Sequence, residues 1–75
     1  MKDRFGKKLL LDEWVYVLLS SQVTRCTVVG RMYNDIYMVS KHEGSRMFHY
    51  VSQHQIVKID KTDPRVTRFL LEHSV

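Results

Sequence analysis

The fold of this chain depends on one stretch, which reads Arg25-Cys26-Thr27-Val28-Val29-Gly30-Arg31-Met32-Tyr33-Asn34-Asp35-Ile36-Tyr37-Met38-Val39-Ser40. It contains two runs rich in β-branched and aromatic residues, which favour extended strands, and Asn34-Asp35 separates them. Asn and Asp tolerate a positive φ and can hydrogen-bond their own backbone, so this pair fits a tight reversal. The stretch therefore predicts a β-hairpin, beside which every other strand of the chain can be placed.

The faces of this hairpin follow from the alternation of its residues. On the first arm the even-numbered residues from Cys26 to Met32 share one face, and on the return arm Tyr37 and Val39 point inward. Gly30 interrupts the first arm, and a glycine inside a strand often marks a bulge or a sharp bend.

Further strands are predicted on both sides of the hairpin. The first covers residues 14–19, where the odd-numbered residues share one apolar face and the even-numbered ones, including Trp14 and Tyr16, share the other. Because both faces are apolar, this strand is either covered on both sides or carries a binding surface. Residues 47–51 and 56–59 predict two more strands, and the polar residues 52–55 between them fit a single turn of 3₁₀ helix.

The end of the chain predicts a helix over residues 64–73. Asp63 is suited to the N-cap and Pro64 to the first helical position. Val66, Phe69, Leu70 and His73 fall on one face at helical spacing. The whole chain is thus divided into a flexible basic arm (1–8), a β domain (9–61) and a packed C-terminal helical segment (62–75).

The order of these elements resembles small SH3-like barrels of the Tudor and KOW type. The resemblance covers residues 12–60 and is carried by four segments: Asp12-Glu13-Trp14-Val15-Tyr16-Val17, Cys26-Thr27-Val28-Val29-Gly30-Arg31, Ile36-Tyr37-Met38-Val39 and Phe48-His49-Tyr50-Val51-Ser52-Gln53-His54-Gln55-Ile56. Leu11 stands where such barrels usually have glycine. The resemblance implies a mainly β fold with a five-stranded SH3-like barrel, and the short C-terminal α-helix predicted above is an addition to that barrel. It also implies a range of binding functions, toward peptides, methylated residues, RNA or DNA, and larger assemblies.

Length and composition fit a single small domain. The chain has 75 residues, of which 44% are hydrophobic and 27% charged, and its formal net charge is +4. No apolar run is long enough to span a membrane, and the three leucines at positions 9–11 are too few for a signal peptide. The single Cys26 excludes an internal disulfide. These features favour a cytoplasmic location, and a bacterial or phage protein would suit the size.

The residues that could support catalysis or metal binding do not form a recognisable pattern. Cys26 is in phase with Val28, which predicts a buried thiol rather than a nucleophile. The histidines at positions 42, 49, 54 and 73 lack the spacing of metal ligands, and the three glycines are too scattered for a phosphate-binding loop. We therefore expect no enzymatic activity, no metal and no cofactor.

The aromatic residues are more informative, because a barrel of this size cannot bury all of them. The candidate partner-binding residues are Trp14, Tyr16, Arg31, Tyr33, Arg46 and Tyr50. For Trp14, Tyr16 and Tyr33 a structural role and a binding role are equally compatible with the sequence. The leading hypothesis is a small regulator or inhibitor that docks on a larger protein.

Three alternatives remain open from the sequence. Basic residues near aromatic ones, such as Arg31 beside Tyr33 and Arg46 beside Phe48, are typical of RNA or DNA binding. An aromatic cage could instead read a peptide or a modified residue. Finally, Leu71 lies off the apolar stripe of the predicted helix, so that helix could pair with a second copy of the chain.

Overall fold

The computed structural model describes residues 1–41 and 47–73. Within them the chain is mainly β, as predicted, with five antiparallel strands in one sheet and one C-terminal helix. The elements are β1 (Trp14–Leu19), β2 (Gln22–Tyr33), β3 (Ile36–Ser40), β4 (His49–Ser52), a 3₁₀ turn (Gln53–Gln55), β5 (Ile56–Lys58) and α1 (Pro64–Glu72). The strand order is β4-β3-β2-β1-β5, so β4 and β5 form the edges of the sheet. Among the described residues, no helix is both long and apolar enough to cross a membrane.

The predicted hairpin is confirmed, with β2 and β3 joined at Asn34-Asp35. Asn34 has a φ of +46°, the left-handed conformation that Asn tolerates better than most residues. β2 begins at Gln22, three positions earlier than the hairpin stretch, because Ser20 and Ser21 form a tight turn from β1. Both serines have a positive φ, which matches the right-handed twist of the strands they connect.

Two register shifts bend β2 within the hairpin. The first lies between Val28 and Gly30 and confirms the irregularity that Gly30 indicated. The extra residue turns the following positions over, so that Gly30 lies opposite the outward Met38. The prediction that Gly30 and Met32 share a face with Cys26 and Val28 is therefore wrong, and Met32 is 46% exposed.

Apolar side chains form two cores, one on each face of the sheet. The inner core consists of Leu9, Val15, Val17, Cys26, Val28, Tyr37, Val39, Val51 and Ile56. The outer core joins Val57 of β5 to Val66 and Phe69 of α1, and is flanked by Phe5, Tyr16, Leu18, Val23 and Leu70. β1 is thus covered on both sides, which explains why both of its faces are apolar.

The helix α1 begins and packs as its sequence predicts. The Asp63 carboxylate accepts a hydrogen bond from the backbone N–H of Arg65 at 2.9 Å, and Pro64 occupies the first turn. Val66 and Phe69 are each only 3% exposed. Their burial against β5 fixes the helix on the outer face of the sheet.

The first nine residues lie against the sheet, and the flexibility that the sequence predicts for residues 1–8 stays a prediction. Asp3 is fully buried, and the backbone N–H of Arg4 donates to the carbonyl of Ile56 at 2.8 Å. Leu9, at the end of the segment, lies in the inner core. The segment follows the edge of β5 and supplies hydrogen-bond partners that an edge strand otherwise lacks. The division between residues 9–61 and 62–75 stays a prediction.

Candidate functional site

The outward face of the sheet is divided into a covered half and an open half. Over β1 and β5 it is covered by α1 through the outer core. Over β2, β3 and β4 the strand pairing places Gly30, Met38 and Tyr50 in one row, and Tyr33, Ile36 and Ser52 in the next. We call the group of Gly30, Tyr33, Ile36, Met38 and Tyr50 the open face.

The open face is apolar and accessible. Tyr33 is 68% exposed and Tyr50 61% exposed, whereas Ile36 and Met38 are partly buried between them. A Cβ atom built on Gly30 would meet no heavy atom within 4 Å, so the glycine leaves a shallow notch beside Met38. Large side chains with a gap between them can accept a protruding side chain of a partner.

Two candidate residues, Trp14 and Tyr16, lie on β1 and outside the open face. Tyr16 is half-buried in the outer core and packs with the helix, which gives it a structural role. Trp14 is 37% exposed, and the guanidinium of Arg25 lies over its ring, 5.2 Å from the centroid. The strand pairing aligns Trp14 with Thr27, outside the rows of the open face.

The basic candidates are separated from the exposed tyrosines. Arg31 pairs across the strands with the inward Tyr37, so its side chain leaves the sheet on the face opposite to that of Tyr33. There it lines a polar cleft of about 330 Å³ together with Lys2 and Asp35. Arg46 lies outside the described residues. The structure therefore places Tyr33 and Tyr50 on the same face of the sheet and Arg31 on the opposite face.

The other side chains that could take part in catalysis or metal binding lie in structural surroundings. Burial raises the pKa of the Cys26 thiol, which is fully enclosed in the inner core. The ring of His73 lies 4.8 Å from that of Phe69. No group of three or more possible metal ligands occurs in the part of the chain that the structure describes.

Sequence reasoning found the two tyrosines of the open face but not their neighbours. The alternation along β3 predicts that Ile36 and Met38 point outward, as they do, but only the pairing of β3 with β4 shows that they lie beside Tyr50. Gly30 could have been assigned to this face, because a bulge at a glycine reverses the alternation of the residues that follow it. Comparison of the chain with protein-family models, curated proteins and solved structures found no match in any of the three.

Proposed function

We propose that this protein is a small, non-enzymatic binding module, a regulator or inhibitor, that docks on a larger protein through the open face. One observation carries the proposal: α1 covers the outer face over β1 and β5, whereas Tyr33 and Tyr50 remain exposed on the other half.

The chemistry of the open face supports protein docking. None of its five positions carries a charge, and the centre of a protein–protein interface is depleted of charged residues. Tyrosine and methionine are enriched in such interfaces, and large aromatic side chains contribute much of the binding free energy. The face therefore has the composition of an interface centre.

The same proposal includes a fold and a location. The antiparallel order β4-β3-β2-β1-β5, the bent β2 and the 3₁₀ turn before β5 support an SH3-like barrel of the Tudor and KOW type. The single buried cysteine supports a cytoplasmic location.

The alternatives receive less support from the geometry. For RNA or DNA binding, cations should lie beside the exposed rings, yet Arg31 points to another surface. Lys58, another cation of the sheet that could contact phosphate, already has partners: its Nζ lies 3.7 Å from Glu13 Oε2 and donates to the carbonyl of Lys8 at 3.0 Å. An aromatic cage needs converging rings, and the close ring pair in the described part of the chain is Phe69 with His73, beside the outer core. Pairing of two copies through Leu71, which is 73% exposed, stays a prediction.

A site-specific cross-linking experiment tests the proposal. A photoreactive phenylalanine analogue is introduced in place of Tyr50, and in a matched variant in place of Lys61, which is exposed before α1. Each variant is irradiated in lysate of the native host, with and without nuclease treatment, and the adducts are identified by mass spectrometry.

We expect a discrete protein adduct from position 50 that survives nuclease treatment and is absent from position 61. An adduct that nuclease removes would favour the nucleic-acid alternative. The same adducts from both positions would show that the open face has no special role.

A further inference from the structure

A second surface lies between the N-terminal segment and α1. It is a cleft of about 170 Å³ lined by Arg4, Phe5, Arg65, Arg68, Phe69 and Glu72. Three guanidinium groups and two phenyl rings thus meet one carboxylate there. The cleft belongs to the helix side of the molecule and shares no residue with the open face.

The phenyl rings hold two of the guanidinium groups in place. The Cζ atom of Arg4 lies 5.0 Å from the centre of the Phe69 ring and 5.7 Å from that of Phe5. The Cζ atom of Arg65 lies 4.7 Å from the centre of the Phe5 ring. A guanidinium that is stacked on a ring keeps its N–H groups free at its edge, where they can bind an anion.

Two acidic groups near this cleft, Asp60 and Asp63, are already paired with Lys7 and Arg65. Arg65 donates to both oxygens of Asp63, at 3.2 Å from Nε and 2.9 Å from Nη2. The Nζ of Lys7 lies 2.8 Å from Asp60 Oδ2 and 2.7 Å from Asp63 Oδ2.

Arg4 and Arg68 remain without such a partner. Within residues 1–41 and 47–73, neither forms an ion pair with a carboxylate. Glu72 opposes these two charges only in part, so the cleft keeps a positive charge over an apolar floor.

We propose that this cleft binds an acidic side chain of a partner protein, presented by a peptide segment in which the carboxylate adjoins an apolar residue. The fork of a guanidinium matches the two oxygens of a carboxylate, which gives a directed and charge-assisted contact. The adjoining apolar side chain would contact Phe5 and the aliphatic part of Arg68. This proposal stands on charge complementarity and does not depend on docking through the open face.

The dimensions of the cleft favour a single side chain over a larger ligand. Sites for small molecules and cofactors usually measure about 300–1,000 Å³, well above this volume. Nucleic acid would need ring faces for base stacking and a continuous track of cations. Here the carboxylate of Glu72 interrupts the track of cations.

The test is a fluorescence-anisotropy titration of the full chain with a labelled peptide of alternating glutamate and phenylalanine at low ionic strength. The variants are Arg4→Gln and Arg68→Gln, with Arg31→Gln as a matched control on a different surface. We expect each of the first two to weaken binding about tenfold, since each removes a charge-assisted contact, and the control to bind as the parent does. Glu72→Gln should bind more tightly, because it removes the opposing charge.

Two competitors and a structural readout make the result decisive. The Nε–Hε NMR signals of Arg4 and Arg68 should shift on peptide addition, while that of Arg25 should not. Peptide affinity that is unchanged in Arg68→Gln or lowered in Glu72→Gln would overturn the proposal. So would a thymidine oligonucleotide that displaces the peptide at lower concentration, or inorganic phosphate that displaces it equally well. Because Arg68 is exposed, its variant tests the site even if Arg4→Gln does not fold.

Discussion

The carboxylate of Asp3 accepts a hydrogen bond from the backbone N–H of Lys58 at 2.8 Å, across 55 positions of the chain. Its other oxygen accepts from the backbone N–H groups of Phe5 and Lys7, each at 2.9 Å. Asp3 is fully buried, so these three donors replace the water that the carboxylate loses. The contact closes the edge of β5 and places Phe5 and Arg4 beside α1.

Asp3→Asn should therefore lower the free energy of unfolding by about 1–3 kcal/mol, because the amide presents an N–H group to a buried N–H donor. Asp12→Asn is the matched control: Asp12 is exposed with a φ of +63°, a conformation that Asn also tolerates. Its effect should stay within about 0.5 kcal/mol. Urea unfolding measures both, and equal effects would show that the Asp3 contacts do not stabilise the fold.

The acidic groups at the start of α1 make stability depend on pH. The hydrogen bond from Lys7, and then those from Thr62, lower the pKa of Asp60 to about 2. Arg65 first, and Lys7 second, hold the pKa of Asp63 well below its usual range. Because these pKa values are lower in the folded state, the stabilisation is complete above the unfolded value of about 4. The contribution of Asp60 is lost as the pH falls from about 4 through about 2, and that of Asp63 continues to be lost at still lower pH.

Lys7→Met should reduce this loss of stability between pH 4 and pH 2, since it removes a cation that both carboxylates share. Lys8→Met is the control, because the side chain of Lys8 forms no ion pair within the described residues. Urea unfolding at pH 5, 4, 3 and 2 gives the free energy of unfolding as a function of pH for each protein. Parallel pH profiles for Lys7→Met and the parent would contradict the assignment of this network.

The packing of the outer core predicts that truncation of Phe69 lowers stability far more than truncation of Leu71, two positions later in α1. Phe69 is 3% exposed, so Phe69→Ala should cost about 3–5 kcal/mol through lost burial and the cavity left behind. Leu71 is 73% exposed, and Leu71→Ala should change stability by less than about 0.5 kcal/mol. Thermal unfolding compares them directly; similar melting temperatures for the two variants would mean that α1 does not pack as described.

The sequence predicted the elements whose signals are local. The β-branched runs around Asn34-Asp35 give the hairpin, and Asp63-Pro64 gives the start of α1, because turn and cap residues act on their immediate neighbours. The docking of the N-terminal segment has no such signal. The carboxylate of Asp3 accepts a hydrogen bond from Lys58, which is distant in sequence. Only the tertiary structure therefore shows why a charged residue is buried there.

For the candidate site, residue type was predictable and accessibility was not. Aromatic content marked both Tyr16 and Tyr33, but the position of α1 decides that the first is covered and the second exposed. Arg31 and Tyr33 are near in sequence, yet a second register shift between them turns their side chains to different faces. The alternation of residues in the sequence does not reveal where such a bulge lies.

Tyr16 and Tyr33 consequently respond differently to truncation. Tyr16→Ala should lower stability by about 1–3 kcal/mol, because it removes part of the outer core. Tyr33→Ala should leave stability within about 0.5 kcal/mol and reduce the cross-linked adduct formed from position 50. If Tyr33→Ala lowers the melting temperature as much as Tyr16→Ala does, the ring at position 33 is structural and the docking role is contradicted.

Gly30 allows the open face to be blocked without removing a side chain. Its φ is outside the left-handed region and a Cβ would meet no atom within 4 Å, so Gly30→Ala should raise stability by about 0.4–1 kcal/mol by restricting the unfolded chain. Gly6→Ala is the contrasting control, because Gly6 has a φ of +81° and alanine there should cost about 1 kcal/mol. A longer side chain in Gly30→Gln fills the notch beside Met38, so we expect a folded protein whose adduct from position 50 is strongly reduced. Unchanged cross-linking by a stably folded Gly30→Gln protein would show that the partner does not contact the open face.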